Sequence, residues 1–120
     1  MSDDVVENWI RYHEEERTPS DPLFAAWAEV DDLVRHDPEA AWLLTLQLVA
    51  AAPSDRVLAA VAAGPLEDLL NRSGDRVIDR VELHARSDPK FRRCLTGAWG
   101  IPASARERLS KYTSTVTDPL

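Results

Sequence analysis

The chain has 120 residues, of which 44% are hydrophobic and 29% are charged, and its formal net charge is −7. This length and apolar content favour one folded domain and exclude an intrinsically disordered chain. The single cysteine, Cys94, excludes an intramolecular disulfide and a zinc site built on several thiolates, and the excess of acids disfavours a dedicated nucleic-acid-binding protein.

Helical periodicity runs through the first half of the chain, and strand-like alternation is absent from it. The spacing predicts a first helix over 3–17 and a second that begins at Asp21-Pro22. Asp37-Pro38 repeats this start signal and predicts a third helix over 38–51, which is apolar nearly all round and is therefore expected to be the most buried. The apolar stripes of these helices place three tryptophans in the core: Trp9, Trp27 and Trp42.

Glycine and proline divide the middle of the chain into shorter predicted helices. Ser54 or Asp55 caps a fourth helix, and Gly64 is expected to end it with a positive φ before Pro65 opens the next. The short fifth helix covers 66–71, and a turn at Ser73-Gly74-Asp75 separates it from a sixth helix.

The remaining helices complete an all-α fold. Asp88-Pro89 starts a seventh helix, and a last one spans 103–112. The predicted architecture is a compact bundle of about seven or eight short helices in stacked antiparallel hairpins. A single domain is expected over 1–112, followed by a flexible C-terminal tail over 113–120.

The most apolar stretch, over 40–63, raises the question of a membrane span. Pro53-Ser54-Asp55-Arg56 interrupts it with two charges and a proline, and neither half is long enough to span a bilayer alone. Acidic residues stand near the N-terminus, where a signal peptide would be basic. These features predict a cytoplasmic protein.

Carboxylates and an arginine form the candidate polar cluster. Glu67 and Asp68 stand at the start of the predicted fifth helix, and Asp79, Glu82 and Arg86 share one face of the sixth. The cluster allows two interpretations, a set of structural ion pairs or a carboxylate site for acid–base or ligand chemistry, and the structural interpretation is the simpler.

Glu67 is the member of this cluster that we expect to matter most. If the predicted fifth and sixth helices meet at a short turn, its carboxylate would be partly buried and would pair with Arg76, Arg80 or Arg86.

The second half of the chain also carries the candidate partner-binding residues. Residues 1–60 hold 13 acids and 4 bases, whereas residues 61–120 hold 8 acids and 10 bases. Such a charge asymmetry steers charged partners. Trp99 lies between two glycines at a helix end, where it could plug the bundle or bind a partner, and Arg92 and Arg93 lie close by. Cys94 falls on the apolar face of its helix and is expected in the core.

Several blocks of the sequence resemble a bacterial family of small all-α domains of unknown function. The most specific block is 63–70, Ala-Gly-Pro-Leu-Glu-Asp-Leu-Leu, and weaker ones follow at 79–82, 88–92 and 95–99. The resemblance extends from about Trp9 to Trp99. It implies an all-α domain and no particular activity, and a family site would be carried here by four residues: Glu67, Asp68, Glu82 and Trp99.

The sequence therefore predicts a small acidic protein-interaction module, in a role such as bacterial defence, toxin neutralisation or regulation. No motif for catalysis, for a metal or for another cofactor is present, so an enzyme is not the favoured interpretation. One alternative is a ligand-binding or catalytic domain that uses the carboxylate and arginine cluster. A less favoured alternative is a nucleic-acid-binding domain with a basic C-terminal surface. The sequence leaves the identity of the protein partner and the oligomeric state open.

Overall fold

A computed structural model describes residues 4–15 and 21–120, and every regular element in these ranges is helical. Seven α-helical segments and one π-helical turn follow one another along the chain. Their bounds are α1 Val5–Glu14, α2 Phe24–His36, α3 Pro38–Ala51, α4 Asp55–Val61, the π-turn Ala62–Leu66, α5 Glu67–Ser87, α6 Pro89–Leu95 and α7 Ala103–Thr113. The all-α fold class is confirmed. The predicted ends of the first helix, at 3 and 17, lie outside the described residues.

The main departure from the predicted fold is that α4, the π-turn and α5 form one continuous helix. The described chain therefore has six separate helices, and the predicted number of seven or eight is wrong. Gly64 does not have a positive φ, and the backbone remains right-handed helical on both sides of the π-turn. Pro65 has no N–H to donate, and the wider turn accommodates it without ending the helix. The predicted break at 73–75 is reduced to a kink at Ser73, whose φ is −136° and ψ is 30°.

Side-chain caps start three of the helices where the sequence predicts. An Asp37 carboxylate oxygen accepts from the amide of Ala40 at 3.2 Å, and the Ser54 hydroxyl accepts from the amide of Val57 at 3.3 Å. Asp88 accepts from two amides of α6, at 2.9 and 3.1 Å. These local contacts satisfy amides that the first turn of a helix leaves without a partner. Asp21 instead closes a turn, and α2 begins at Phe24.

One hydrophobic core joins all the helices. Trp9 and Trp42 are buried as predicted, and the Trp42 ring meets the Phe91 ring edge-on at 5.7 Å between centroids. Cys94 is also buried as expected. Trp27 is not a core residue, because 37% of it remains exposed and its ring stacks on Phe24 at the surface.

The segment after α7 lies against α6. The amide of Leu120 donates to the Thr96 hydroxyl at 2.9 Å, and the Arg93 side chain donates to the carbonyl of Asp118 at 2.8 Å. The expected flexibility of 113–120 stays a prediction.

None of the described helices has the length and apolar content to cross a membrane.

Candidate functional site

The predicted polar cluster is divided among three places on the molecule. Asp79 and Glu82 lie together as expected, and both bind Arg108 of α7. The guanidinium donates to Asp79 at 2.8 Å and to Glu82 at 2.9 Å. Arg86 lies on the same side of α5 and donates to the phenol oxygen of Tyr112 at 3.3 Å. These contacts tie α5 to α7. The position of Arg108 could not be predicted, because the two helices are separated in sequence by α6 and a loop.

Glu67 lies apart from these residues, against the loop before α7. A Cβ on Gly100 would overlap the Glu67 carboxylate, and the Asn71 side chain donates to the carbonyls of both Glu67 and Gly100 at 2.9 Å. With a larger residue at position 100, the Glu67 carboxylate would have to move aside.

The expected ion pair between Glu67 and an arginine of the predicted sixth helix is absent from the described part of the chain. Glu67 and these arginines belong to one continuous helix, along which Arg76 and Arg86 lie roughly 14 and 29 Å from it. Arg80 instead pairs with Glu39 of α3. The prediction was wrong because it required a turn between the two helices.

Asp68 faces a third place, a cavity of about 250 Å³ where α1, α2 and the π-turn meet. We call this cavity the π-turn cleft. Burial raises the pKa of Asp68, and the neighbouring carboxylates of Asp31 and Glu67 raise it further. The cleft is lined by aromatic, acidic and small apolar residues: Trp9, His13, Trp27, Val30, Asp31, Val34, Ala63, Gly64, Pro65 and Asp68.

His13 closes the α1 side of the cleft as an uncharged ring. Its Nδ1 donates to the carbonyl of Trp9 at 3.0 Å, and the two rings lie 3.9 Å apart between centroids. Burial lowers the pKa of His13, and the charge of Arg56 lowers it further, so neutral imidazole is favoured at pH 7. The sequence did not single out this group, because its members come from three segments and match no motif.

Trp99 is the most exposed large apolar side chain among the described residues, with 72% of its surface accessible. Its indole N–H donates to the carbonyl of Thr96 at 2.8 Å, and the Arg106 side chain donates to the backbone carbonyl of Trp99. The ring borders a groove of about 280 Å³ beside α7, which we call the Trp99 groove. This groove is lined mainly by apolar and small polar residues: Leu95, Thr96, Ala98, Trp99, Ile101, Arg106, Leu109, Thr113, Ser114 and Pro119.

Arg92 and Arg93, the other candidate partner-binding residues, bind groups of the domain itself. Arg92 donates to the carbonyl of Ala85 at 2.8 Å and thereby caps the C-terminal turn of α5. The Arg93 guanidinium donates two hydrogen bonds to the carboxylate of Asp55 at the start of α4, one of them 2.9 Å long. Their role in binding a partner stays a prediction.

Burial raises the pKa of Cys94 to about 12, so its thiol stays protonated at neutral pH. Residues 4–15 and 21–120 contain no group of three or more His, Cys, Asp or Glu side chains that could hold a metal ion.

The fold and these sites define a small all-helical domain with an apolar groove at one helix end and an acidic aromatic cleft elsewhere. Residues 13–116 match the model of a family of unknown function, DUF6869, and the chain belongs to this family. The expected membership of a family of unknown function is thereby confirmed. Neither a curated protein nor a solved structure matches the chain.

Proposed function

We propose that the domain is a protein-interaction module that binds its partner through the Trp99 groove. The observation that carries this proposal is the exposure of Trp99 beside an apolar groove, since tryptophan is enriched among residues that dominate binding energies at interfaces. Its indole is already held by a hydrogen bond to Thr96, so binding would require little further ordering of the ring.

The area of the exposed indole is large enough to anchor a partner. A tryptophan side chain can bury about 200 Å², and burial of the accessible 72% at about 25 cal/mol per Å² would contribute about 4 kcal/mol before the entropic cost of association. One such anchor supplies a large part of a micromolar interaction.

The charges beside the groove indicate the chemistry of the partner. Arg106 of α7 lines the groove, and α7 also carries Lys111 against a single acid, Glu107. We therefore propose a partner that presents an apolar side chain flanked by acidic residues. A nucleic acid is less favoured, because Arg92 and Arg93 bind groups of the domain and Arg108 is neutralised by two carboxylates.

We further propose that the module works in the bacterial cytoplasm. Defence, toxin neutralisation and regulation are the roles in which such a module would act, and the identity of the partner would decide among them.

The proposal is tested by photo-crosslinking in the source cells, with a photoreactive residue at position 99 and, as a matched control, at Leu83. Leu83 is 65% exposed but does not line the groove. The partner captured through position 99 is then purified and titrated against the wild-type domain and the Trp99→Ala and Leu83→Ala variants.

We expect Trp99→Ala to weaken binding at least thirtyfold, which corresponds to about 2 kcal/mol, and Leu83→Ala to bind as the wild type. Because Trp99 is exposed, its variant should keep the wild-type melting temperature. Equal affinities for wild type and Trp99→Ala would refute the proposal, and a loss confined to Leu83→Ala would move the interface to another face.

A further inference from the structure

We infer that the π-turn cleft is a binding site for one organic cation, an alkylammonium or guanidinium group. This site is separate from the Trp99 groove, shares no lining residue with it and does not depend on the proposed function.

The cleft has the room and the rigid walls that a small ligand needs. Its volume of about 250 Å³ could hold a group of several heavy atoms, because one water molecule occupies about 30 Å³ in the liquid. Gly64 lines it without a side chain, and a Cβ at this position would point into open space. The π-turn thus leaves open space at the point where three helical segments meet.

The Trp27 ring offers the cleft an accessible aromatic face for a cation. It is 37% exposed and is held against the Phe24 ring, with 5.1 Å between centroids and 13° between planes, whereas the Trp9 ring packs on His13 and is only 1% exposed. Indole faces attract cations more strongly than other aromatic side chains do. An alkylammonium or guanidinium group gains this attraction, together with burial of its apolar carbons, at a small desolvation cost.

Asp68 is the carboxylate in the cleft with which a bound cation could pair. The other carboxylate, Asp31, is already paired with Arg35, whose guanidinium lies 2.9 Å from it. Asp68 has no hydrogen bond or ion pair with any residue in the described ranges, and Arg72 and Arg35 interact with it only at a distance. The raised pKa of Asp68 agrees with this lack of a close cation. His13, which is neutral, does not supply one.

A metal ion fits the cleft less well than an organic cation does. Asp31, Asp68 and His13 all line it, but they do not form a group that could hold a metal ion, and none is found among the described residues. Hydrated metal ions require oxygen ligands, whereas much of this wall is aromatic and aliphatic carbon.

Direct titration of the full chain tests the inference. The probes are tetramethylammonium as a free ion, and acetylated, amide-capped trimethyllysine and arginine as side chains of a polypeptide. Equal concentrations of NaCl serve as the reference. Binding is followed through the indole N–H signals in ¹H–¹⁵N spectra and by calorimetry, and the more tightly bound probe distinguishes a free amine from a basic side chain.

Three variants locate the binding site. Asp68→Asn removes the unpaired charge, Trp27→Leu removes the exposed ring, and Gly64→Leu fills the open space while keeping both rings and both carboxylates. The matched controls are Asp75→Asn, an exposed acid of the same helix, and Trp99→Leu, an exposed tryptophan elsewhere. Melting temperatures verify that each variant is folded.

We expect saturable binding of at least one organic cation, with shifts at the Trp27 indole N–H. Asp68→Asn and Gly64→Leu should each weaken it at least tenfold, and both controls should bind as the wild type. Should Trp27→Leu fail to fold, the other two variants still decide the outcome. Shifts no larger than those caused by NaCl, wild-type affinity in Gly64→Leu, or an equal loss in the controls would overturn the inference.

Discussion

Replacing Trp42 with alanine tests how the core is built. Trp42 is 4% exposed, and its ring meets the rings of Phe91 and His84 edge-on, at 5.7 and 6.2 Å between centroids. The variant loses the buried indole and the contacts of two neighbouring rings, and α3 cannot close the space without moving toward α5 and α6. Large-to-small substitutions at such sites cost about 3–5 kcal/mol. A domain of this size has a free energy of unfolding of about 6–18 kcal/mol, so the loss is a large fraction of it.

Urea denaturation followed by circular dichroism is the assay, with Trp99→Ala as the matched control. We expect the midpoint of Trp42→Ala to fall by the equivalent of 3–5 kcal/mol at an unchanged slope, and that of the control to change by less than about 0.5 kcal/mol. A Trp42→Ala midpoint within about 1 kcal/mol of the wild type would refute the inference that α3 is held by this aromatic cluster.

Two further predictions concern Gly100 and Cys94. Gly100→Ala should destabilise the domain by about 1 kcal/mol, because its Cβ would displace the Glu67 carboxylate from its present position. Glu67→Ala in the same chain should restore much of this loss, and additive effects in a double-mutant cycle would contradict the contact. The thiol pKa of Cys94 is about 12 in the folded protein and about 8.5 when unfolded, so its contribution to stability is complete below pH 8.5 and is lost as pH rises from there towards 12. A Cys94→Ala variant should lose less stability than the wild type over this pH range. In a second test, a thiol reagent at pH 8 should modify Cys94 only after urea is added. Fast modification of the native protein would contradict the buried position of the thiol.

The interactions that the sequence determined alone are those between near neighbours in the chain. Asp37, Ser54 and Asp88 cap the helices they were predicted to start, because a cap joins a side chain to an amide two or three residues away. The fold class follows in the same way from helical periodicity. The burial of Trp9 follows from its apolar stripe and that of Trp42 from a helix that is apolar nearly all round, whereas Trp27 is 37% exposed although it lies on a stripe.

The tertiary structure decided what Gly64 and Pro65 do. By local rules this pair ends one helix and begins another, but the helix continues through a π-turn. Leu66 at the end of that turn and Leu69 and Leu70 beyond it are fully buried, and continuing the helix keeps this apolar surface within the core. A local propensity of about 1–3 kcal/mol is smaller than the free energy of burying several leucines.

The places of the site residues also depended on the tertiary structure. Glu67 meets Gly100, Arg108 joins Asp79 and Glu82, and Asp68 faces Trp27 across the π-turn cleft. Each of these contacts joins segments that are distant in the chain, and the phase of one long helix sets which side chain faces which neighbour. A sequence pattern predicts on which face of its own helix a residue lies. The residue that it contacts on a neighbouring helix is determined only when the helices pack.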